Sequence, residues 1–170
     1  VEESLLLFRV LKSRGVKCEV LNANNDEHEA RIIADAGKLN AITISTNMAG
    51  RGTDIRLGGD DQYEKNDVIS LGGLYVIGTN RHESLRIDNQ LRGRSGRQGD
   101  PGSSRFYISL NDDLFIKYRL NELLSLSKVT SNNIENVIIG KEVNRVQRIV
   151  EGQNLEVKKT LFLYSSLLEQ

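Results

Sequence analysis

The sequence predicts an α/β fold with a mostly parallel sheet and helices on both faces, and three observations carry that prediction. Short apolar stretches alternate with segments whose apolar residues have helical spacing, as in repeated βαβ units. Eleven of the fifteen glycines and the one proline lie between residues 50 and 102, where sharp turns or ligand contacts are expected. The composition of the 170 residues, 38% hydrophobic and 27% charged, is typical of a globular domain.

The first 46 residues predict two helices and two strands. Apolar residues at helical spacing predict a helix over residues 2–13, and a β-type stretch predicts a strand over 18–23. Acidic residues at its start predict a second helix over 26–36, which Gly37 should end. A second strand, which looks buried, is expected over 41–46.

The middle of the chain predicts two further strands separated by helical segments. Residues 74–79 form an apolar β-type stretch, and residues 105–110 alternate with Phe106, Ile108 and Leu110 on one side. The polar stretch over 56–73 is flanked by glycine pairs and is expected to be a long surface loop.

Residues beyond 127 have little glycine and a helical composition, which predicts a domain over 1–127 and a helical extension over 128–170. Apolar residues spaced three, four and seven apart predict one face of a long helix in this extension: Val146, Val150, Val157, Leu161, Tyr164 and Leu168. Basic residues are few around this face, so we expect it to pack against protein rather than lie on a membrane.

The charge balance argues against a nucleic-acid-binding protein. Twenty-three basic residues are matched by twenty-three acidic residues, so the formal net charge is zero. Most nucleic-acid binders collect phosphates with a net positive field, and only 5% of the residues are aromatic and could stack on bases. Any anion-binding site must therefore be local.

The remaining composition predicts a protein of a reducing cytoplasm. Cys18 is the one cysteine and there are two histidines, so neither an internal disulfide nor a thiolate zinc cluster is available. No apolar stretch reaches the roughly 18 residues that a transmembrane helix needs. Because the chain begins at Val1, at the start of a predicted helix, we expect it to be a piece of a longer protein.

A glycine-containing segment, residues 46–55, directly follows the predicted strand over 41–46. Gly50 and Gly52 would let main-chain N–H groups approach a ligand closely. Asp54 offers an acceptor to a ribose hydroxyl or to a neighbouring arginine. A simple tight turn, with Asp54 as a helix cap, is the alternative interpretation.

The segment from residue 81 to residue 105 contains six arginines and no lysine, although nine of the 23 cations of the chain are lysines. Guanidinium groups are planar, bidentate donors to carboxylate or phosphate, so this bias favours positioned ion pairing. Arg94 and Arg97 are three residues apart among glycines, which would let both cations converge on one anion. Alternatively, the arginines form structural ion pairs with nearby carboxylates: Glu83, Asp88, Asp100, Asp112 and Asp113.

Two kinds of nucleotide-binding feature are missing from the sequence. There is no Gly-x-x-x-x-Gly-Lys-Ser/Thr loop and no apolar strand that ends in Asp-Glu, so nothing in the sequence predicts binding of a β-phosphate or of Mg²⁺. His28 and His82 lack acidic or cysteine partners at metal-ligand spacing and are expected to be structural. No metal site is predicted.

These motifs resemble one family closely. Residues 41–56 and 71–110 resemble the second nucleotide-binding lobe of SecA, the ATPase motor of bacterial protein export. Residues 47–54 are similar to helicase motif V in its SecA form, and residues 90–100 are similar to motif VI. The flanking Arg-Ile-Asp-Asn-Gln-Leu-Arg and Gln-Gly-Asp-Pro-Gly resemble SecA rather than helicases in general.

The resemblance implies a RecA-like second motor lobe over 1–127, followed by the start of a helical scaffold. It implies that Arg94 and Arg97 face the γ-phosphate of an ATP whose Mg²⁺ is held by the first lobe, with Arg97 as the arginine finger. The rest of this lobe's side of the nucleotide cleft would be formed by Gly52, Asp54, Gln90 and Asp100, the last of which would lie near the nucleotide or brace Arg97.

The resemblance also implies partners and a location. The partners would be the first nucleotide-binding lobe of the same protein, an unfolded preprotein, a SecY-type membrane channel and a second copy in a homodimer, but no nucleic acid. The protein would be cytoplasmic and peripherally associated with the membrane, and the chain by itself would not hydrolyse ATP.

Ser165 and Ser166 stand where the housekeeping family members generally have two aspartates, and the link after Asp113 is shorter, as expected of an accessory SecA. The alternatives are a lobe of a superfamily 2 nucleic-acid helicase and a non-catalytic module whose arginines bind a partner's carboxylates.

Overall fold

The computed structural model describes residues 2–21, 26–46, 52–109, 111–118 and 137–168. Helices and strands alternate over most of this range, so the α/β prediction is confirmed. The helices are α1 Glu2–Ser13, α2 Asp26–Asp35, α3 Lys65–Ser70, α4 Leu85–Arg92, α5 Asp113–Lys117 and α6 Val137–Leu168. The strands are β1 Glu19–Leu21, β2 Thr43–Ser45, β3 Leu74–Gly78 and β4 Gly102–Phe106.

The first βαβ unit forms as the sequence predicts. Strands β1 and β2 pair in parallel, with Val20 opposite Ile44, and α2 supplies the crossover that a parallel pair requires. Helix α1 contacts both strands and α2 contacts β1. Leu21 on β1 and Ile44 on β2 are buried. The predicted helices over 2–13 and 26–36 are confirmed, the second to within one residue.

Strands β3 and β4 form a second two-stranded sheet, and the predicted strand over 105–110 is wrong in position. Strand β4 occupies Gly102–Phe106, while residues 107–109 are irregular. Glycine allows the two strands to lie close together here, because a Cβ on Gly73 would meet the Pro101 carbonyl and one on Gly78 would meet the Phe106 ring. The Gly-Ser-Ser start of β4 has no apolar alternation by which sequence analysis could find it.

The predicted surface loop over 56–73 is also wrong in part. It contains α3, and Leu57, Gly58 and Gly59 are buried. Gly58 has a φ of +82°, and a Cβ there would lie 2.5 Å from the backbone nitrogen of Lys65. Glycine is therefore required for close packing at this position, which its polar sequence neighbours do not reveal.

The described residues form two compact units, one within 1–76 and 90–105 and the other within 77–89 and 106–170. In the second unit a core forms where α5 packs on α6, with the members Leu114, Phe115, Val143, Val146 and Val150. The predicted stripe on α6 is thus buried at its first two positions. Its later positions, from Val157 to Leu168, are exposed.

The predicted boundary between residues 127 and 128 lies outside the described residues. Within the part of the chain that is described, no helix is both long and apolar enough to cross a membrane.

Candidate functional site

The two predicted finger arginines lie on a tight turn that continues from α4. The backbone N–H groups of Arg94 and Ser95 donate to the carbonyls of Leu91 and Arg92 at 3.0 and 3.2 Å, so the turn is fastened to the last residues of the helix. The chain then bends through residues with positive φ, which include Gly96 at +67° and Gly99 at +84°. Glycine adopts these conformations without strain, which explains the glycine spacing of the motif.

The guanidinium groups of Arg94 and Arg97 converge, as the sequence predicts. Both donate through Nη1 to the backbone carbonyl of Thr53, at 3.0 and 3.4 Å. Burial, and then the neighbouring Arg97 charge, lowers the pKa of Arg94 below its ordinary value. Two guanidinium groups that converge in this way are suited to a group of high negative charge, because Asp54 pairs with only one of them.

Asp54 serves as the acceptor for a neighbouring arginine, one of its two predicted uses. Its Oδ1 accepts from Nη1 of Arg97 at 3.1 Å, and its Oδ2 accepts from the side-chain amide of Gln98 at 2.9 Å. Nε of Arg97 also donates to the carbonyl of Gly93 at 2.6 Å. Arg97 is therefore held by three different partners before any ligand is present.

A cavity of about 390 Å³ lies at this turn. Its lining includes four cationic side chains, Arg56, Lys65, Arg94 and Arg97, but only two acidic ones, Asp54 and Asp100. Both carboxylates are already paired, Asp54 with Arg97 and Asp100 with Lys65 at 3.3 Å. The remaining positive charge fits a phosphate group.

The structure brings four of the six predicted site residues together and leaves two apart. Arg94, Arg97, Asp54 and Asp100 line the cavity, whereas Gly52 and Gln90 do not. Gly52 is exposed at a φ of +85°, and Gln90 is exposed on α4. The motif residues 47–51 lie outside the described residues.

Lys65 and Gln98 also line this cavity, although neither was predicted as a site residue from the sequence. Lys65 begins α3, inside the stretch predicted to be a loop, and no local pattern points from it to the arginines. Gln98 could have been found, because it directly follows Arg97 and carries an amide that can hold Asp54 in place.

Arg81 fits the alternative interpretation, a structural ion pair. Its Nε lies 2.9 Å from Oδ2 of Asp88, a carboxylate with no solvent exposure. Its guanidinium also lies over the Phe106 ring, 4.9 Å from the centroid. Across the described ranges of the chain, no three His, Cys, Asp or Glu side chains group in a way that could hold a metal ion.

Known proteins resemble the chain over its whole length. The family model of the SecA P-loop domain matches residues 1–69 and 60–133. The protein translocase subunit SecA 2 of Clostridioides difficile is 53% identical over 174 residues, which cover 100% of this chain and 22% of the relative. The protein translocase subunit SecA of Halothermothrix orenii is 50% identical, and the alignment covers 100% of this chain and 20% of the relative. The protein translocase subunit SecA of Thermodesulfovibrio yellowstonii is 43% identical, and the alignment covers 99% of this chain and 23% of the relative.

The alignments with these relatives differ in length. The alignments with C. difficile SecA 2 and H. orenii SecA span 174 residues, against 201 for T. yellowstonii SecA. Alignments of the same short length therefore occur with relatives of both names. The chain spans about a fifth of the length of these relatives, and it belongs to the SecA P-loop domain family.

Proposed function

We propose that the chain is the second nucleotide-binding lobe of an ATP-driven protein-export motor of the SecA type. The observation that carries this proposal is the convergence of Arg94 and Arg97 on one carbonyl beside a cavity with excess positive charge. A pair of fixed guanidinium groups suits the γ-phosphate of an ATP whose other contacts come from a partner lobe. Relatives that cover this chain carry the name protein translocase subunit.

In this mechanism Arg97 would stabilise the negative charge that develops on the transferring phosphoryl group, and Arg94 would bind the same group. ATP with Mg²⁺, bound by the first lobe, supplies that phosphoryl group. Because Asp54 and Thr53 already orient Arg97, little reorganisation is needed when the lobes close, which is how preorganised charges lower a barrier. Asp100 lines the same cavity and pairs with Lys65, whereas Gly52 and Gln90 would have to act from outside the cavity lining.

The proposed motor has three partners and a location in the cell. The first nucleotide-binding lobe of the same protein would hold the nucleotide, an unfolded preprotein would be the substrate, and a SecY-type channel would be the membrane partner. The intact protein would work in the cytoplasm, peripherally bound to the membrane, as a monomer or homodimer. Ser165 and Ser166 support an accessory form, because they stand where the housekeeping members generally have two aspartates.

The isolated 170-residue chain is expected to bind ATP weakly and to hydrolyse none, because its sequence contains no phosphate-binding loop. Steady-state phosphate release by the purified chain measures this. Turnover above the blank that follows the protein peak through a final column would contradict the split-site assignment.

The full-length protein is expected to hydrolyse ATP faster when an unfolded preprotein and vesicles with a SecY-type channel are both present. The control is the same preprotein folded by a tightly bound ligand, which should not stimulate turnover. Stimulation by single-stranded RNA that weakens with salt, in place of stimulation by preprotein, would favour the helicase alternative.

A further inference from the structure

The turn that begins at Arg97 has an unusual residue at its first central position. The backbone N–H of Asp100 donates to the carbonyl of Arg97 at 2.9 Å, which closes a four-residue turn. Gln98 has a φ of +53° and Gly99 a φ of +84°, and two positive φ values are typical of a type I′ turn. Glycine, asparagine and aspartate dominate the first central position of such turns. Gln98 therefore holds a conformation that costs free energy.

The side chain of Gln98 makes a hydrogen bond that the preferred turn residues could not make from the same backbone. Its Nε2 donates to Oδ2 of Asp54 at 2.9 Å. Glycine has no side chain, asparagine is shorter by one methylene group, and an ionised aspartate has no donor. A strained backbone whose side chain makes a specific contact at a candidate site indicates a functional role. The contact between Gln98 and Asp54 is therefore the feature to explain.

The Gln98 amide fixes the carboxylate that pairs with Arg97. Oδ1 of Asp54 accepts from Nη1 of Arg97 at 3.1 Å, so the two carboxylate oxygens have different donors. The Asp54 side chain is 37% exposed, and the last torsion of an aspartate has a broad, weakly restrained range. A second donor on Oδ2 restricts that torsion. Because an amide is neutral, it does so without competing with Arg97 for the negative charge.

We propose that Gln98 is a positioning residue that fixes the Asp54 carboxylate and, through it, the direction in which Arg97 presents its guanidinium group to the cavity. This proposal rests on the proposed function. The three residues lie in the same compact unit, the one within 1–76 and 90–105, and all three line the cavity. Gln98 therefore acts on turnover through Asp54, and not through a contact of its own with ATP.

The test replaces Gln98 in the full-length protein with residues that suit the turn better. Gln98→Gly and Gln98→Asn both tolerate a positive φ, so the melting temperature should fall by no more than about 2 °C. Each should nevertheless lower kcat about fivefold and leave the KM for ATP within about twofold of wild type, because a small misplacement of a catalytic group costs turnover. The matched control is Asn40→Gly, at an exposed residue with a φ of +57°, which should leave kcat and KM unchanged.

Wild-type kcat in either Gln98 variant would overturn the proposal, and so would a raised KM with normal kcat, which would mean direct contact with ATP. A double-mutant cycle tests whether the effect passes through the carboxylate. When Asp54→Ala is already present, adding Gln98→Gly should change kcat by less than about twofold, measured in single turnover. The full loss in the double variant would overturn the proposal while leaving the finger assignment intact. Normal kcat in Arg97→Lys would instead defeat the proposed function itself.

Discussion

Arg97→Lys in the full-length protein should lower ATP turnover by about 10³-fold or more while ATP binding changes only several-fold. Lysine keeps the charge and could still pair with Asp54, but it cannot also donate to the carbonyls of Gly93 and Thr53 as the Arg97 fork does. The loss corresponds to about 4 kcal/mol of transition-state stabilisation. Steady-state kcat and the dissociation constant of a fluorescent nucleotide analogue measure the two effects separately.

The matched control for this change is Arg9→Lys, at an exposed arginine on α1, which should leave turnover and thermal stability unchanged. Arg94→Lys should resemble Arg97→Lys or be somewhat milder. If Arg97 only stabilised the fold through Asp54, lysine would largely replace it and the main defect would be a lower melting temperature. Near-normal turnover in a folded Arg97→Lys protein would remove the finger assignment and favour the non-catalytic alternative.

Asp88→Ala should destabilise the structure around α4 by about 3–5 kcal/mol, because it removes the carboxylate paired with the Arg81 charge and leaves the Gln147 amide with only the His82 carbonyl as its acceptor. Domain stability totals about 5–15 kcal/mol, so this is a large share of it. Amide hydrogen exchange over residues 85–92 in the full-length protein measures the effect, with an expected acceleration of about 10²-fold or more.

Two companion variants identify the cause of the Asp88→Ala effect. Asp60→Ala, at an exposed aspartate, should leave exchange within α4 unchanged. The double variant Arg81→Met with Asp88→Leu should recover part of the lost protection, because it removes the uncompensated charge together with its partner. If this double variant exchanged faster than Asp88→Ala, unpaired buried charge would not be the source of the instability.

The sequence by itself determined most of the secondary structure and the turn that carries Arg94 and Arg97. Both signals are local. Apolar residues at helical spacing predicted both ends of α1, and Gly96 and Gly99 indicated the positive-φ turn on which Arg94 and Arg97 lie. The same kind of signal failed for β4 and for α3. A strand that starts with Gly-Ser-Ser and a short polar helix are held by backbone packing at Gly73 and Gly58 rather than by an apolar pattern.

Only the tertiary structure decided which partner each charged side chain has. Asp54 and Arg97 lie 43 residues apart and Asp88 and Gln147 lie 59 apart, and nothing in the intervening sequence distinguishes these pairs from others of the same chemistry. From the sequence alone, Asp88 could have been an exposed residue of α4, whereas the structure buries it. Glu151 could likewise have been an exposed charge of the long helix α6, whereas it accepts hydrogen bonds from Ser84 and Leu85. The physical reason is that hydrogen bonds and ion pairs act over a few ångströms in space, so the folded backbone has to bring the partners together before they can be assigned.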